Sequence, residues 1–319
     1  MRRFYHNAKL GNNSLISYIL TIVITFFGYF LGQVPMTVAI MWKMNKYPDI
    51  GTEALSRFKE NPDFTIFHMD KNLGLVLVLM TFVVAFTFLL LGVRYIHKRN
   101  PLTLVSTGGR IDFRRLAWGT AVWLGLLVLA EVVYYFFHPS NYTFHAPGLS
   151  FLWLVLISVT LLPVQVIFEE IFTRGYLYQA VAYNTKNVFF GFLVSVIVFA
   201  ALHSFNPETL KYGLMPMMTY YISAGILLGL IVVFDDRLEL AIAVHYATNL
   251  FGAVLLTYDG AAMQTDALFI TKTVDPVFLA GEMIILGAIF LFIAYRKYKW
   301  KPLKVKMRYE EEEIEFAGE

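Results

Sequence analysis

Eight runs of apolar residues divide the chain, at 15–42, 73–96, 116–137, 149–183, 188–203, 216–234, 240–256 and 277–295. A hydrocarbon layer about 30 Å thick takes roughly 20 helical residues to cross, and most of these runs reach that length. The intervening stretches are short and polar. One is longer: 43–72 carries five basic and five acidic residues, and it reads as a small outer domain or a partly amphipathic segment. Composition agrees with the pattern, since 58% of the 319 residues are hydrophobic, only 15% are charged, and the mean hydropathy is +0.60. Such a balance lies far from that of soluble domains. The expected fold class is therefore all-α, a polytopic membrane protein of about eight transmembrane helices.

Charge adds orientation. Counted in alternate loops, lysine and arginine number 19 on the side of the two termini and 7 on the other, and cytoplasmic loops carry such an excess. Both termini are thus expected in the cytoplasm, which requires an even number of spans and supports eight. The first run follows Arg2, Arg3 and Lys9 like the start of a signal peptide, but it is too long and has no small-residue cleavage site, so it reads as a retained anchor. A net charge of +3 placed beside apolar runs gives no surface for nucleic acid. Absence of cysteine removes disulfides, thiolate metal sites and a cysteine nucleophile. Three regions follow: 1–148, three spans with the polar loop at 43–72; 149–256, where the unusual polar residues fall; and 257–319, a last span with a charged tail. The tail acids Glu310 to Glu313 are expected to be solvated and flexible. Oligomeric state is not encoded in any feature of the sequence.

Charged residues inside apolar runs carry the chemical information, because a carboxylate in hydrocarbon costs about 3 kcal/mol on insertion scales. Glu169 and Glu170 close an uncharged stretch beginning at Leu149, with Arg174 following. Glu170 and Arg174 are i and i+4, which places them on one helix face as a pair. Glu169 points about 100° away. His203 ends the next run, and His245 with Asn249 forms a second i, i+4 pair in a later one. Glu169 lies 17 residues before Lys186 and His203 lies 17 after it, so an antiparallel hairpin holds them at similar depth, about 25 Å from the turn. Plainer readings exist for each: the Glu-Glu-Arg cluster as an interfacial end of a span, His203 as a helix cap, His245 and Asn249 as a polar contact between helices. Glu131, in the third run, has no assigned role.

No His-Glu-x-x-His zinc signature, Gly-x-Ser-x-Gly elbow or phosphate-cradling glycine loop is present. What remains is Glu169-Glu170-Ile-Phe-Thr-Arg174, then Phe199-Ala-Ala-Leu-His203, then His245-Tyr-Ala-Thr-Asn249. In that order these resemble the Glu-Glu-x-x-x-Arg, Phe-x-x-x-His and His-x-x-x-Asn motifs of the CPBP family of intramembrane proteases. That family contains the type II CAAX prenyl endopeptidases and relatives linked to bacteriocin processing and self-immunity. The resemblance spans about 149–256. It implies an intramembrane endopeptidase acting on a hydrophobic or lipid-anchored peptide or protein, in which Glu169 with His203 activates water. His245 and Asn249 would then stabilise the oxyanion, and Arg174 would hold Glu170. No cofactor is favoured. The alternative the resemblance leaves is a metalloprotease, with Glu169, His203 and His245 as zinc ligands. Access is expected from the cytoplasmic side or laterally from lipid, in a bacterial inner membrane. A competing function is a non-catalytic membrane binding or bacteriocin-immunity protein. A proton-coupled transporter lacks the repeat or broken-helix pair it would need.

Overall fold

A computed structural model describes residues 3–146 and 148–311. The protein is an all-α polytopic membrane protein. Six helices are long and apolar enough to cross a bilayer: Leu15–Lys46 (α1), Lys71–Ile96, Phe113–Phe137 (α4), Leu149–Asn184, Leu214–Asp235 (α10) and Pro276–Tyr298 (α12). Two shorter apolar helical stretches, Val188–His203 (α8) and Glu239–Leu255, run beside them. Large side chains such as Phe27, Phe30, Leu15 and Phe136 are exposed, a surface that suits lipid contact, since every helix satisfies its own backbone.

Short polar residues begin the helices. Asp70, Asp112 and Asp275 each accept two backbone N–H bonds at the starts of α3 (Lys71–Leu91), α4 and α12, and Asn187 accepts one at the start of α8. Those side chains satisfy N–H groups that have no partner inside the helix. Sharp stops at Lys186, Asp236 and Lys299 use left-handed backbone. The run at 149–183 is not one regular helix. Pro163, which lacks an N–H, divides α5 (Leu149–Thr160) from α6 (Leu162–Glu170). A π-helical segment, Ile171–Leu177, then leads into α7 (Tyr178–Asn184).

Two faces collect the loops. On the terminal face Arg3 binds Asp236 (Nε–Oδ2 3.0 Å), as does Lys306 (2.5 Å), and Arg115 pairs with Asp235. Glu310 binds Arg3 at 3.2 Å with 39% of its side chain exposed and is docked on this face, whereas Glu311, paired with Lys186 at 2.9 Å, keeps 77% of its side chain in solvent. The rest of the expected acidic stretch, Glu312 and Glu313, lies outside the described residues. On the opposite face the 43–72 segment forms α2 (Glu53–Glu60) and a turn at Phe64–Phe67 over a small apolar cluster that includes Ile40, Ile50 and Phe67. Three short strands there, β1 (Tyr142–Phe144), β2 (Leu256–Tyr258) and β3 (Phe269–Thr271), form a sheet in the order β1-β3-β2. β1 is antiparallel to β3 with Tyr142 opposite Thr271, and β2 is parallel to it with Leu256 opposite Phe269.

At the centre lies α11 (Glu239–Leu250), buried from Glu239 to His245. It packs on α4, α6 and α10, while α3 packs on α6 and α7 on α8. Regions 1–148 and 149–256 thus bury helices against each other. The α7–α8 contact is close because Gly191 lacks a side chain: a Cβ there would stand 2.7 Å from the Ala182 Cβ and 2.9 Å from the Tyr178 carbonyl. That approach fixes the hairpin on which the relative depth of Glu169 and His203 depends.

Candidate active site

α6 ends on the two acidic residues, and its neighbours treat them differently. Glu170 and Arg174 are wholly buried and paired, Oε1 to Nη1, at 2.8 Å. Arg174 also donates to Thr173 Oγ1 at 3.0 Å and to the Gly225 carbonyl at 3.4 Å, with its guanidinium 4.3 Å above the Phe199 ring. Glu169 is turned elsewhere, with 13% of its side chain exposed. Its Oε1 accepts from Gln165 Nε2 at 2.7 Å, and its backbone carbonyl accepts from Thr173 Oγ1 at 2.6 Å. These bonds lie at the entry to the π-helical segment, where an irregular turn commonly marks a functional site.

His245 joins the two carboxylates. Its Nδ1 is 2.9 Å from Glu170 Oε1, and its Nε2 is 3.5 Å from Glu169 Oε2. A carboxylate can only accept from Nδ1, so that nitrogen carries a proton and the ring is oriented with Nε2 toward Glu169. Glu169 Oε2 is buried and makes no hydrogen bond within the chain. Asn249 enters through Gln165, donating Nδ2 to Gln165 Oε1 at 3.2 Å. Gln165 therefore bridges Glu169 and Asn249.

His203 lies nearby but in a different relation. Its ring packs between Phe199 and Tyr221, with centroids 4.2 and 4.7 Å away. Its Nδ1 donates to the Phe199 carbonyl at 2.8 Å, so Nε2 is left as an acceptor. The sequence set His203 beside Glu169; the structure keeps the two within electrostatic reach on one cavity and adds His245 as an ion-pair partner of Glu169, because α11 packs directly on α6. Both histidines and Asn249 nonetheless border one small recess of about 50 Å³ with Phe199 and Tyr221.

That recess adjoins a cavity of about 540 Å³ bordered by Gln165, Glu169, His203 and Asn249. The rest of the cavity wall comes from the half of the bundle nearest the sheet, including Asn141, Glu208 and Asp275. The cavity extends away from the terminal face, toward the sheet. The reason lies in the rise per residue. Seventeen residues from the Lys186 turn carry a helix about 25 Å, most of a hydrocarbon thickness of about 30 Å.

Three further glutamates share the cavity with Glu169: Glu131 on α4, Glu282 on α12 and Glu208 on α9 (Pro207–Tyr212). Glu131 accepts from the Tyr142 hydroxyl. Glu208 accepts from the Ala262 N–H at 2.7 Å and the Tyr258 hydroxyl at 3.4 Å. Burial nevertheless raises its pKa above the ordinary glutamate value. Gln165, Glu208, Glu282 and Tyr221 were not singled out from sequence. Gln165 had a usable signal, a polar residue in an apolar run four positions before Glu169. Glu282, a carboxylate inside the last span, had another.

Among the described residues no group of three or more His, Asp or Glu side chains is placed to hold a metal ion. Glu169 and His245 approach each other at 3.5 Å, while His203 stands within electrostatic reach of Glu169. The triad Glu169, His203 and His245 does not form a three-ligand site here.

Residues 148–251 match the family described as type II CAAX prenyl endopeptidase Rce1-like. Over 291 residues the chain is 26% identical to the uncharacterized protein YyaK of Bacillus subtilis (strain 168), covering 91% of this chain and 94% of that protein. No solved structure matches.

Proposed function

We propose, from the premise that residues 148–251 are an Rce1-like domain, that this intramembrane endopeptidase cleaves a hydrophobic or lipid-anchored substrate with water activated by Glu169. One observation carries the reading. Glu169 is held at Oε1 by Gln165, while Oε2 is left without a hydrogen bond 3.5 Å from His245 Nε2, beside a cavity large enough for a peptide segment. A fixed carboxylate with one open oxygen is the geometry of a general base.

In the proposed reaction, Glu169 Oε2 takes a proton from water as the oxygen attacks the scissile carbonyl. His203 Nε2 accepts the second water hydrogen and orients the nucleophile. Negative charge then gathers on the carbonyl oxygen, where the second N–H of Asn249 and the Nε2–H of His245, doubly protonated between the Glu170 and Glu169 carboxylates, serve as donors in a site of low dielectric. As the C–N bond breaks, the proton on Glu169 passes to the leaving amine. Glu170 and Arg174 touch no reacting atom in this scheme; they hold the His245 ring. The excess of lysine and arginine puts the terminal face in the cytoplasm, so the cavity extends toward the outer face.

The experiment uses the full chain purified in detergent and quenched fluorescent peptides with apolar flanks. Glu169→Gln is expected to lower turnover by roughly 10² to 10⁴, the range for loss of a general base, with its unfolding midpoint unchanged. Wild-type rates in that variant would sink the mechanism, and absence of cleavage by a folded wild-type protein across the peptide set would sink the hydrolase reading.

A further inference from the structure

The half of the cavity away from Glu169 has a chemistry that peptide hydrolysis does not use. Its wall contains Glu131, Glu208, Asp275 and Glu282, and among the described residues no lysine or arginine borders it. Glu131 and Glu282 stand on the facing helices α4 and α12, within electrostatic reach of each other. The helices meet there through Tyr134 and Phe278, whose rings are 5.0 Å apart. Neither carboxylate has a cationic partner, and Glu282 makes no hydrogen bond or ion pair within the described chain. Two like carboxylates at adjoining positions in membrane helices are destabilising unless something answers them. A second, separate observation points the same way: Glu208 is 5% exposed, and its Oε2 is buried without a hydrogen bond. The Tyr220 phenol lies within electrostatic reach of both Glu208 and Glu282, so the acids belong to one region of the wall.

We propose that this acidic half is a subsite for a basic side chain of the peptide substrate, held by Glu131 and Glu282 with Glu208 behind them. The proposal rests on the peptidase reading above and names a substrate class for it. Aromatic residues set among the carboxylates decide between kinds of cation. Tyr134, Tyr142, Tyr220 and Phe278 border the acids and suit the aliphatic stem and charged head of lysine or arginine. A hard metal ion takes six or more oxygen ligands, and no metal-holding group is present among the described residues. The occupant is an organic cation on a peptide. It approaches from the face of the sheet, with the bond to be cut reaching Glu169 deeper in the bundle.

The test separates binding from turnover. Fluorescent peptides identical except for lysine, norleucine or glutamate at one position are titrated against the full chain carrying Glu169→Gln in detergent. The lysine peptide is expected to bind about tenfold tighter than the norleucine peptide, the scale of one charge pair in a half-buried site. Adding Glu131→Gln and Glu282→Gln should erase that ratio, and Glu282→Lys should shift preference to the glutamate peptide. Equal affinity for the three peptides, or a lysine preference that survives both glutamine substitutions, overturns the proposal. So does a lysine preference that vanishes only when calcium or magnesium is chelated. If the preference is found but the wild-type chain cleaves none of the peptides, the hydrolase reading fails and the cation subsite stands. Unfolding midpoints of each variant confirm that lost binding is not lost fold.

Discussion

Replacing Glu170 by glutamine isolates the structural half of the acidic pair. The substitution keeps the shape and one acceptor but removes the charge opposite Arg174, which is wholly buried at 2.8 Å from it. Removing one partner of a buried pair costs about 3–5 kcal/mol, because the other charge stays desolvated and uncompensated. An exposed pair of the same residues would cost only about 0–1 kcal/mol. Glu170 also orients His245 at 2.9 Å, so turnover should fall together with stability. Changing both Glu170 and Arg174 to methionine removes the orphaned charge and leaves chiefly the lost acceptor of His245, about 1–3 kcal/mol. The double variant should therefore be more stable than Glu170→Gln alone. Reversible unfolding in mixed micelles of increasing SDS content, followed by tryptophan fluorescence, measures the three free energies. A Glu170→Gln protein within about 1 kcal/mol of wild type, or a double variant less stable than the single, refutes the reasoning.

Two other outcomes test the frame around the site. His97 is buried, its Nδ1 donating to the Asn12 carbonyl and its Nε2 accepting from the Tyr176 hydroxyl, each at 2.7 Å. Burial lowers its pKa, so its contribution to stability is present above the ordinary imidazole value of about 6.5 and lost as pH falls through the depressed value. The wild-type unfolding free energy should decline on acidification more steeply than that of His97→Asn, and parallel curves would contradict this. Gly191→Ala should cost about 1–3 kcal/mol through overpacking against Ala182 and Tyr178. The control Gly125→Ala, at an exposed position inside α4 with no atom within 4 Å of the added Cβ, should hold or slightly raise the thermal midpoint.

Much of the architecture was legible in the sequence because it depends on one-dimensional properties. Apolar runs marked the helices, and the i, i+4 spacing announced the Glu170–Arg174 pair. The equal offsets of Glu169 and His203 from Lys186 placed both beside the same cavity. What was not legible depends on which helices touch. Nothing in the spacing of His203 and His245 says that α11 lies on α6, and that contact alone decides which histidine meets Glu169. The break at Pro163 carried a visible signal, whereas the π-helical segment after Glu170 did not. The sequence also gave no depth to the acids Glu131 and Glu282, since their significance comes from two helices 151 residues apart meeting at one level.

The i, i+4 pairing of Glu170 with Arg174 has a bearing on biogenesis. Helices of a polytopic protein are made in order, and the segment 149–184 is complete before α11 exists. Because the counter-ion of Glu170 lies within the same segment, that stretch brings its most deeply buried charge to the bilayer already matched. Glu169 has Gln165 within the segment but waits for its ionic partner, His245, which is 76 positions later in synthesis. The arrangement therefore bears on assembly as well as on the finished site: a self-neutralised helix enters first, and the later arrival of α11 brings His245 to Glu169.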